Sequence, residues 1–219
     1  MFGNESVYRG KGCLGVPVDI GGRYRDGVHP FFERDAVEVD SDAIRSNSAP
    51  IYIALNKPRG YVSSCHQQNE KIVLDLLDIS ERVYPVGRLD KDSTGLLLLT
   101  NDGRLHHRIS HPSFNHEKEY EVTVDKPLRE GALRKLAKGL PMMGTRTRPA
   151  RVKRISARRF RIVLQEGKNR QIRRMVRKVG NQVVDLKRIR IANIELASLP
   201  LGRWRHLAAK EKDELLRSL

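Results

Sequence analysis

Apolar and polar positions follow one rhythm up to about residue 46 and a denser one after it. In the first stretch only Gly15-Val16-Pro17-Val18-Asp19-Ile20 and Asp35-Ala36-Val37-Glu38-Val39-Asp40 alternate, predicting two small strands around a Gly-rich turn. They offer too little apolar surface for a core of their own. Ser46-Asn47-Ser48-Ala49-Pro50 reads as a connection. We therefore expect an appendage over 1–46, a linker over 47–50 and the main domain over 51–219.

Past Ile51 the elements follow closely. Ile51 to Leu55 predicts a strand, and Lys57-Pro58-Arg59-Gly60 a turn into Tyr61-Val62-Ser63-Ser64. Ile72, Val73, Leu76 and Leu77 recur at helical spacing. Leu96 to Leu99 is a continuous apolar run, the pattern of a fully buried strand, and Asn101-Asp102-Gly103 predicts a tight turn after it. Tyr120, Val122 and Val124 alternate with Glu119, Glu121 and Thr123, as do Phe160, Ile162 and Leu164 with Arg159 and Arg161. Arg129 to Lys138 predicts a helix ended by Gly139. The clearest stripe is Ile172, Met175, Val176 and Val179, with Asn169 as N-cap and Gly180 as stop. Gln182 to Leu196 is largely strand. Strands and helices mix without regular alternation, so the class is α+β with a largely antiparallel sheet.

Charge sharpens this picture. The 219 residues carry 42 Lys and Arg against 26 Asp and Glu, a net +16. Between Gly144 and Arg190 stand 17 Lys and Arg and two acids, Glu166 and Asp185, so the remainder is close to neutral. A field concentrated in this way attracts a polyanion, and a nucleic acid is favoured as partner over a basic surface that only aids solubility. Aromatics, at 5%, are too few for a platform that stacks many bases. No apolar run is long enough to span a membrane, and the first fifteen residues lack the apolar core of a secretory signal. Cys13 and Cys65 lack ligand spacing, which fits a reducing cytoplasm. His106, His107, His111 and His116 contain one i, i+4 pair, so no metal is expected.

Three segments could build a site. Gly87-Arg88-Leu89-Asp90-Lys91-Asp92-Ser93-Thr94-Gly95 is a Gly-bounded loop feeding the buried strand. Cations on either side of Asp90 favour its charged form, suited to a nucleophile or general base. From spacing alone the simpler reading is an aspartate that balances its neighbours. Tyr120, in Lys118-Glu119-Tyr120, shares a face with Val122 and Val124, the pattern of a tyrosine at a core edge. Glu166-Gly167-Lys168-Asn169-Arg170-Gln171-Ile172-Arg173-Arg174-Met175 opens a helix, with backbone N–H groups and guanidinium forks for phosphate. A solvated basic helix is the equal alternative there.

Taken in order, Ala54-Leu55-Asn56-Lys57-Pro58-Arg59-Gly60, Gly87 to Gly103, His116-Glu117-Lys118-Glu119-Tyr120 and Glu166 to Met175 resemble the motifs of the pseudouridine synthases of the ribosomal small-subunit group. The resemblance runs from Ile51 to about Leu207. Ile53 to Pro58, Gly87 to Ser93 and Tyr120 to Pro127 are most similar to the F-type large-subunit branch. It implies a two-lobed catalytic domain with an RNA-binding cleft, no cofactor, and isomerisation of a uridine to pseudouridine. In that reaction the N1–C1′ bond breaks, the uracil turns, and C5 rejoins the sugar. Asp90 then matches the catalytic aspartate, which either attacks the sugar or removes a sugar proton. Tyr120 matches the tyrosine packed on the target base, and Arg173 the residue paired with the catalytic carboxylate. We expect Arg88 and Leu164 beside them in the pocket. Lys57, Arg59, Lys168, Asn169, Arg170, Gln171 and Arg174 are expected to contact RNA. Gly15 to Val39 resembles only the strand part of an S4-type RNA-binding domain, so 1–46 is expected to be an incomplete S4-like segment. The expectation is a cytoplasmic monomer acting on large-subunit ribosomal RNA, with a tRNA anticodon stem-loop as second candidate. Two rivals differ in chemistry: a non-catalytic ribosome-assembly protein on the same scaffold, and a hydrolase using Asp90 with Asp92 or Glu166.

Overall fold

The computed structural model describes residues 49–110, 116–142 and 144–217, with four short strands nearer the N-terminus. The chain divides into two compact units, Met1–Ala49 and Pro50–Leu219. In the first unit β1 (Gly10–Lys11), β2 (Pro17–Ile20), β3 (Val37–Val39) and β4 (Asp42–Ala43) form an antiparallel sheet in chain order. The two alternating segments of the sequence are β2 and β3, registered Asp19 to Glu38 and Ile20 to Val37. The turn between them, most of the expected S4-like segment, Cys13 and His111 lie outside the described residues.

The second unit is built on one nine-stranded sheet. Its elements begin with β5 (Tyr52–Lys57), β6 (Tyr84–Val86), β7 (Thr94–Thr100) and helix α1 (Gly103–Ser110). β8 (Lys118–Val124) and α2 (Glu130–Lys138) follow, then the small pair β9 (Pro141–Met142) and β10 (Thr145–Arg146). β11 (Arg151–Arg154), β12 (Arg159–Leu164), α3 (Gln171–Lys178) and β13 (Val183–Ile191) come next. β14 (Ile194–Glu195), β15 (Trp204–His206) and α4 (Ala209–Arg217) complete it. Across the sheet the order is β11-β12-β8-β13-β7-β5-β15, with β6 beside β7 and β14 beside β13. Every pair is antiparallel except β7 with β13. The expected largely antiparallel α+β fold is what forms.

Two lobes meet at that parallel pair. On one side α2 and α3 cover β8, β12 and β13, burying Val122, Phe160, Ile162, Ile172, Met175 and Val176. Each such side chain contributes about 1.5–3 kcal/mol when taken from water. On the other side β5 and β7 are covered on both faces. Leu96 and Leu98 pack toward α1 and α4, and Leu97 and Leu99 toward Val73, Val83 and Leu89. Burial on both faces explains why this stretch reads as an unbroken apolar run.

Two local expectations need correction. The Asp102-Gly103 pair does not close a hairpin turn. Asp102 caps α1 instead, its Oδ1 accepting the N–H groups of Arg104 at 2.9 Å and Leu105 at 3.2 Å. The apolar spacing around Ile72 yields one 3-10 turn, Val73–Leu76, and no longer helix.

Gly95 is where the parallel pair is closest. It sits opposite Arg188 with φ +101°, and a Cβ there would lie 2.2 Å from the Arg188 carbonyl oxygen and 2.7 Å from its nitrogen. Only glycine fits both the dihedral and the gap. Gly95→Ala should therefore destabilise the fold by about 2–4 kcal/mol, read by chemical denaturation. A loss below about 0.5 kcal/mol would show that the strands separate freely there.

Candidate active site

The loop from Gly87 to Ser93 leaves β6, passes the junction of the lobes and enters β7, so it hangs where the parallel pair begins. Four anchors fix it. Ser63, buried under the loop, donates its hydroxyl to the Leu89 carbonyl at 3.0 Å and accepts the Leu89 N–H at 3.2 Å. The Lys91 carbonyl accepts the Gly60 N–H at 2.8 Å. Arg188, 2% exposed, donates Nε to the Leu96 carbonyl at 2.7 Å and Nη1 to the Arg88 carbonyl at 3.3 Å. The fourth is Lys57, whose Nζ donates to the carbonyls of Pro58 at 3.0 Å, Asp90 at 3.1 Å and Ser93 at 2.9 Å.

Lys57 is fully buried, so the expectation that it contacts RNA is wrong. It ends β5 and ties three backbone oxygens, those of Pro58, Asp90 and Ser93. Burial pushes its pKa down to about 8, although Asp92 and Asp90 pull the other way. Gln171 is likewise 4% exposed and turned inward, which removes it from the expected RNA contacts.

The Asp90 side chain stays about one-third exposed and faces a pocket lined by Arg88, Tyr120, Leu164, Lys168, Arg170 and Ile172, among others. β8 and β12 bring Tyr120 and Leu164 there, since Tyr120 is registered to Ile162 and Lys118 to Leu164. α3 closes the wall with Ile172. One side of the pocket is thus apolar and the rim is cationic, a shape for a flat base on a charged backbone.

The arginines pair differently from the expectation. Arg170, not Arg173, holds Asp90, with Nη1 at 3.2 Å from Oδ2. Arg170 also grips both oxygens of Asp92, at 3.3 Å and 3.1 Å. Arg173 ion-pairs with Asp92 at 3.2 Å and donates to the Asp92 carbonyl and Ser93 Oγ, each at 3.2 Å. The reason is position. Arg173 lies within the helix, its side chain 13% exposed, and reaches the loop's entry into β7. Arg170 precedes the helix and reaches further toward Asp90. Burial alone would raise the Asp92 pKa, but the Arg170 hydrogen bonds and the Arg173 charge win and hold its carboxyl below the usual range.

Asn169 is not the helix cap. Arg170 occupies that position in the left-handed region, φ 50° and ψ 35°, and Asn169 Oδ1 accepts Arg174 Nη2 at 3.1 Å. Lys168 donates to Thr145 Oγ1 at 2.6 Å. Arg59 is exposed and pairs with Asp185 at 2.6 Å. Neither Ser63 nor Arg188 stood out as a site residue from sequence. Arg188 had a signal: it shares strand parity with buried Leu186, so an arginine there must find partners inside. Ser63 had none.

Comparison with known proteins agrees with this geometry. The model of the RNA pseudouridylate synthase family matches residues 51–178. The dual-specificity RNA pseudouridine synthase RluF of Escherichia coli strain K12 is 44% identical over 185 residues, covering 84% of this chain and 64% of the relative. The chain thus spans a little under two thirds of that relative's length. The ribosomal small subunit pseudouridine synthase A of the same organism is 35% identical over 217 residues, covering 96% of this chain and 94% of the relative. A solved pseudouridylate synthase superposes with a TM-score of 0.74 at 31% identity, over 90% of this chain and 88% of that one.

Lys57→Met tests the anchoring of the loop. It strands three carbonyls and should cost about 2–4 kcal/mol of stability. RNA affinity should stay within about twofold while turnover falls, since the side chain lies below the binding surface. The pH dependence has a defined sign. The folded chain holds this proton less tightly than the unfolded one, so the Lys57 contribution to stability rises from about pH 8 toward its ordinary 10.5. That rise should be absent in Lys57→Met, and an identical pH profile would remove Lys57 from the account.

Proposed function

This chain belongs to the RNA pseudouridylate synthase family, and we propose that it isomerises a uridine in structured RNA to pseudouridine with Asp90 as the reacting carboxylate. The observation that carries this reading is a partly exposed carboxylate, ion-paired to Arg170, in a pocket walled by Tyr120, Leu164 and Ile172. The target base must leave its helix to be turned, and an aromatic ring with aliphatic walls receives it without water. Asp90 sits below, where the sugar of a base lodged against Tyr120 would lie. Attack on the sugar and removal of a sugar proton both start from this arrangement. The glycosidic N1–C1′ bond breaks, the uracil turns while held by the apolar walls, and C5 bonds to C1′. The proton leaves C5 and N1 gains one, so the sum is an isomerisation that needs no cofactor.

Arg88, Lys168 and Arg170 line the pocket and, with Arg59 and Arg174 on neighbouring segments, suit the phosphates on either side of the target nucleotide. We take ribosomal RNA as the substrate and large-subunit RNA as the first candidate, with a tRNA anticodon stem-loop as the second. The setting we propose is the cytoplasm and the acting form a monomer. Among the described residues no helix is long and apolar enough to cross a membrane. Mapping pseudouridines in RNA from a strain lacking the gene identifies the site by its disappearance.

Asp90→Asn keeps the shape and removes the charge. RNA binding should survive and pseudouridine formation vanish in single-turnover assays with saturating enzyme. Wild-type turnover would remove Asp90 as the reacting carboxylate; no pseudouridine from the unsubstituted chain would leave a non-catalytic RNA-binding protein, and release of free uracil would indicate a hydrolase.

A second expectation concerns affinity. Arg174→Glu should weaken many RNAs alike and flatten the dependence of binding on salt by about one unit of slope for each phosphate no longer neutralised. An unchanged slope would mean that the RNA does not cross α3.

A further inference from the structure

A buried hydrogen-bond relay stands behind Arg170. Glu166 closes the segment after β12, and its side chain is 11% exposed. Its Oε1 accepts Gln171 Nε2 at 2.6 Å and the Arg148 backbone N–H at 3.0 Å. Gln171 Oε1 in turn accepts the Lys168 N–H at 3.0 Å. Both ends of the six-residue segment from Glu166 to Gln171 are therefore clamped to each other. Between them the chain must turn sharply, and it does so by placing Arg170 at φ 50°. A non-glycine residue in that region is strained, and it persists only where its surroundings hold it. The guanidinium that reaches Asp90 is carried by this strained residue.

We propose that Glu166 and Gln171 are positioning residues that set the Arg170 guanidinium against Asp90. The proposal rests on Asp90 being the reacting carboxylate. Neither side chain meets the Asp90 carboxylate; each acts through Arg170. The pair's polarity is also defined. Glu166 must accept twice, and Gln171 must donate on one side and accept on the other. Both bonds end on Glu166 Oε1, so Glu166→Gln can keep them on its amide oxygen, whereas Glu166→Leu removes the acceptor that the Gln171 amide and the Arg148 N–H share. Gln171→Glu sets two carboxylates against each other.

The test is single-turnover pseudouridine formation on unmodified large-subunit ribosomal RNA transcribed in vitro, with thermal unfolding of each variant alongside. Glu166→Leu and Gln171→Glu should each slow the saturated rate about tenfold or more, with the half-saturating enzyme concentration little changed. Glu166→Gln should stay within about threefold of wild type, because its amide oxygen accepts where Oε1 did. In an Arg170→Gln background neither Glu166→Leu nor Gln171→Glu should slow the reaction further, because the group they aim is gone. Glu166→Leu and Gln171→Glu at the wild-type rate, equal losses in the Arg170→Gln background, or a Glu166→Gln as slow as Glu166→Leu would each overturn the proposal. If the transcript is modified at the wild-type rate by Asp90→Asn, the reading of Asp90 as the reacting carboxylate falls. If Asp90→Asn is inactive and Glu166→Leu is not slowed, the relay alone falls.

Discussion

The approach of Gly95 to the backbone of Arg188 is the contact on which the molecule turns. Two antiparallel half-sheets can share one continuous sheet only if some strand pair joins them, and here that pair is parallel and two residues long in register, Lys187 to Thr94 and Arg188 to Gly95. A short parallel join leaves few backbone hydrogen bonds, so the strands must come close, and a side chain at 95 would hold them apart. The consequence reaches the chemistry. The chain enters β7 at the join, so the loop before it, with Asp90, is delivered to the seam between lobes, where residues from both can face it. Arg188 serves twice: its backbone meets Gly95, and its buried guanidinium holds Leu96 and Arg88.

Charge is sorted by the same sheet. The basic stretch from Gly144 to Arg190 suggests one uniform surface, but strand parity splits it. Arg159, Arg161 and Arg190 alternate away from Tyr120 and pair with Glu119 and Glu121, with Arg190 and Arg151 also meeting Glu117. That face is close to balanced, and exposed pairs of this kind add little stability. On the opposite side Asp90, Asp92, Glu166 and Asp185 meet Arg59, Lys168, Arg170 and Arg173, and α3 adds Arg174, Arg177 and Lys178, which make no ion pair among the described residues. The long-range pull on a polyanion therefore converges on the side that holds the site.

Much of this was legible in the residues because the relevant signals are local. Alternation found β8 and β12, the continuous run found β7, the stripe at Ile172 found α3, and the loop around Asp90 stood out by its glycines. What the sequence concealed depends on distances across the chain. A lysine beside a proline and an arginine reads as a surface cation, and only the descent of β5 beneath the loop shows that Lys57 is enclosed. Asp102-Gly103 suits either a hairpin or a helix start, and the decision lies in α1 finding Leu96 and Leu98 to cover. Arg170, just before α3, and Arg173, in its first turn, both reach the loop. Which aspartate each meets is set by the left-handed backbone at Arg170, a conformation that residue type does not announce.

That exchange of partners has a physical logic. Arg170 makes three hydrogen bonds to carboxylates, two to Asp92 and one to Asp90. Asp92 is in turn held by Arg173 from the body of α3. A carboxylate that must meet a sugar has to give up whatever neutralises it in the free chain, and a deeply paired one would do so at high cost. On the proposed reading the release breaks one half-exposed contact of three, worth about 1 kcal/mol or less at such exposure. The bidentate grip on Asp92 keeps Arg170 in place meanwhile. Two aspartates two residues apart thus divide the work: Asp92 fixes the arginines, and Asp90 remains available.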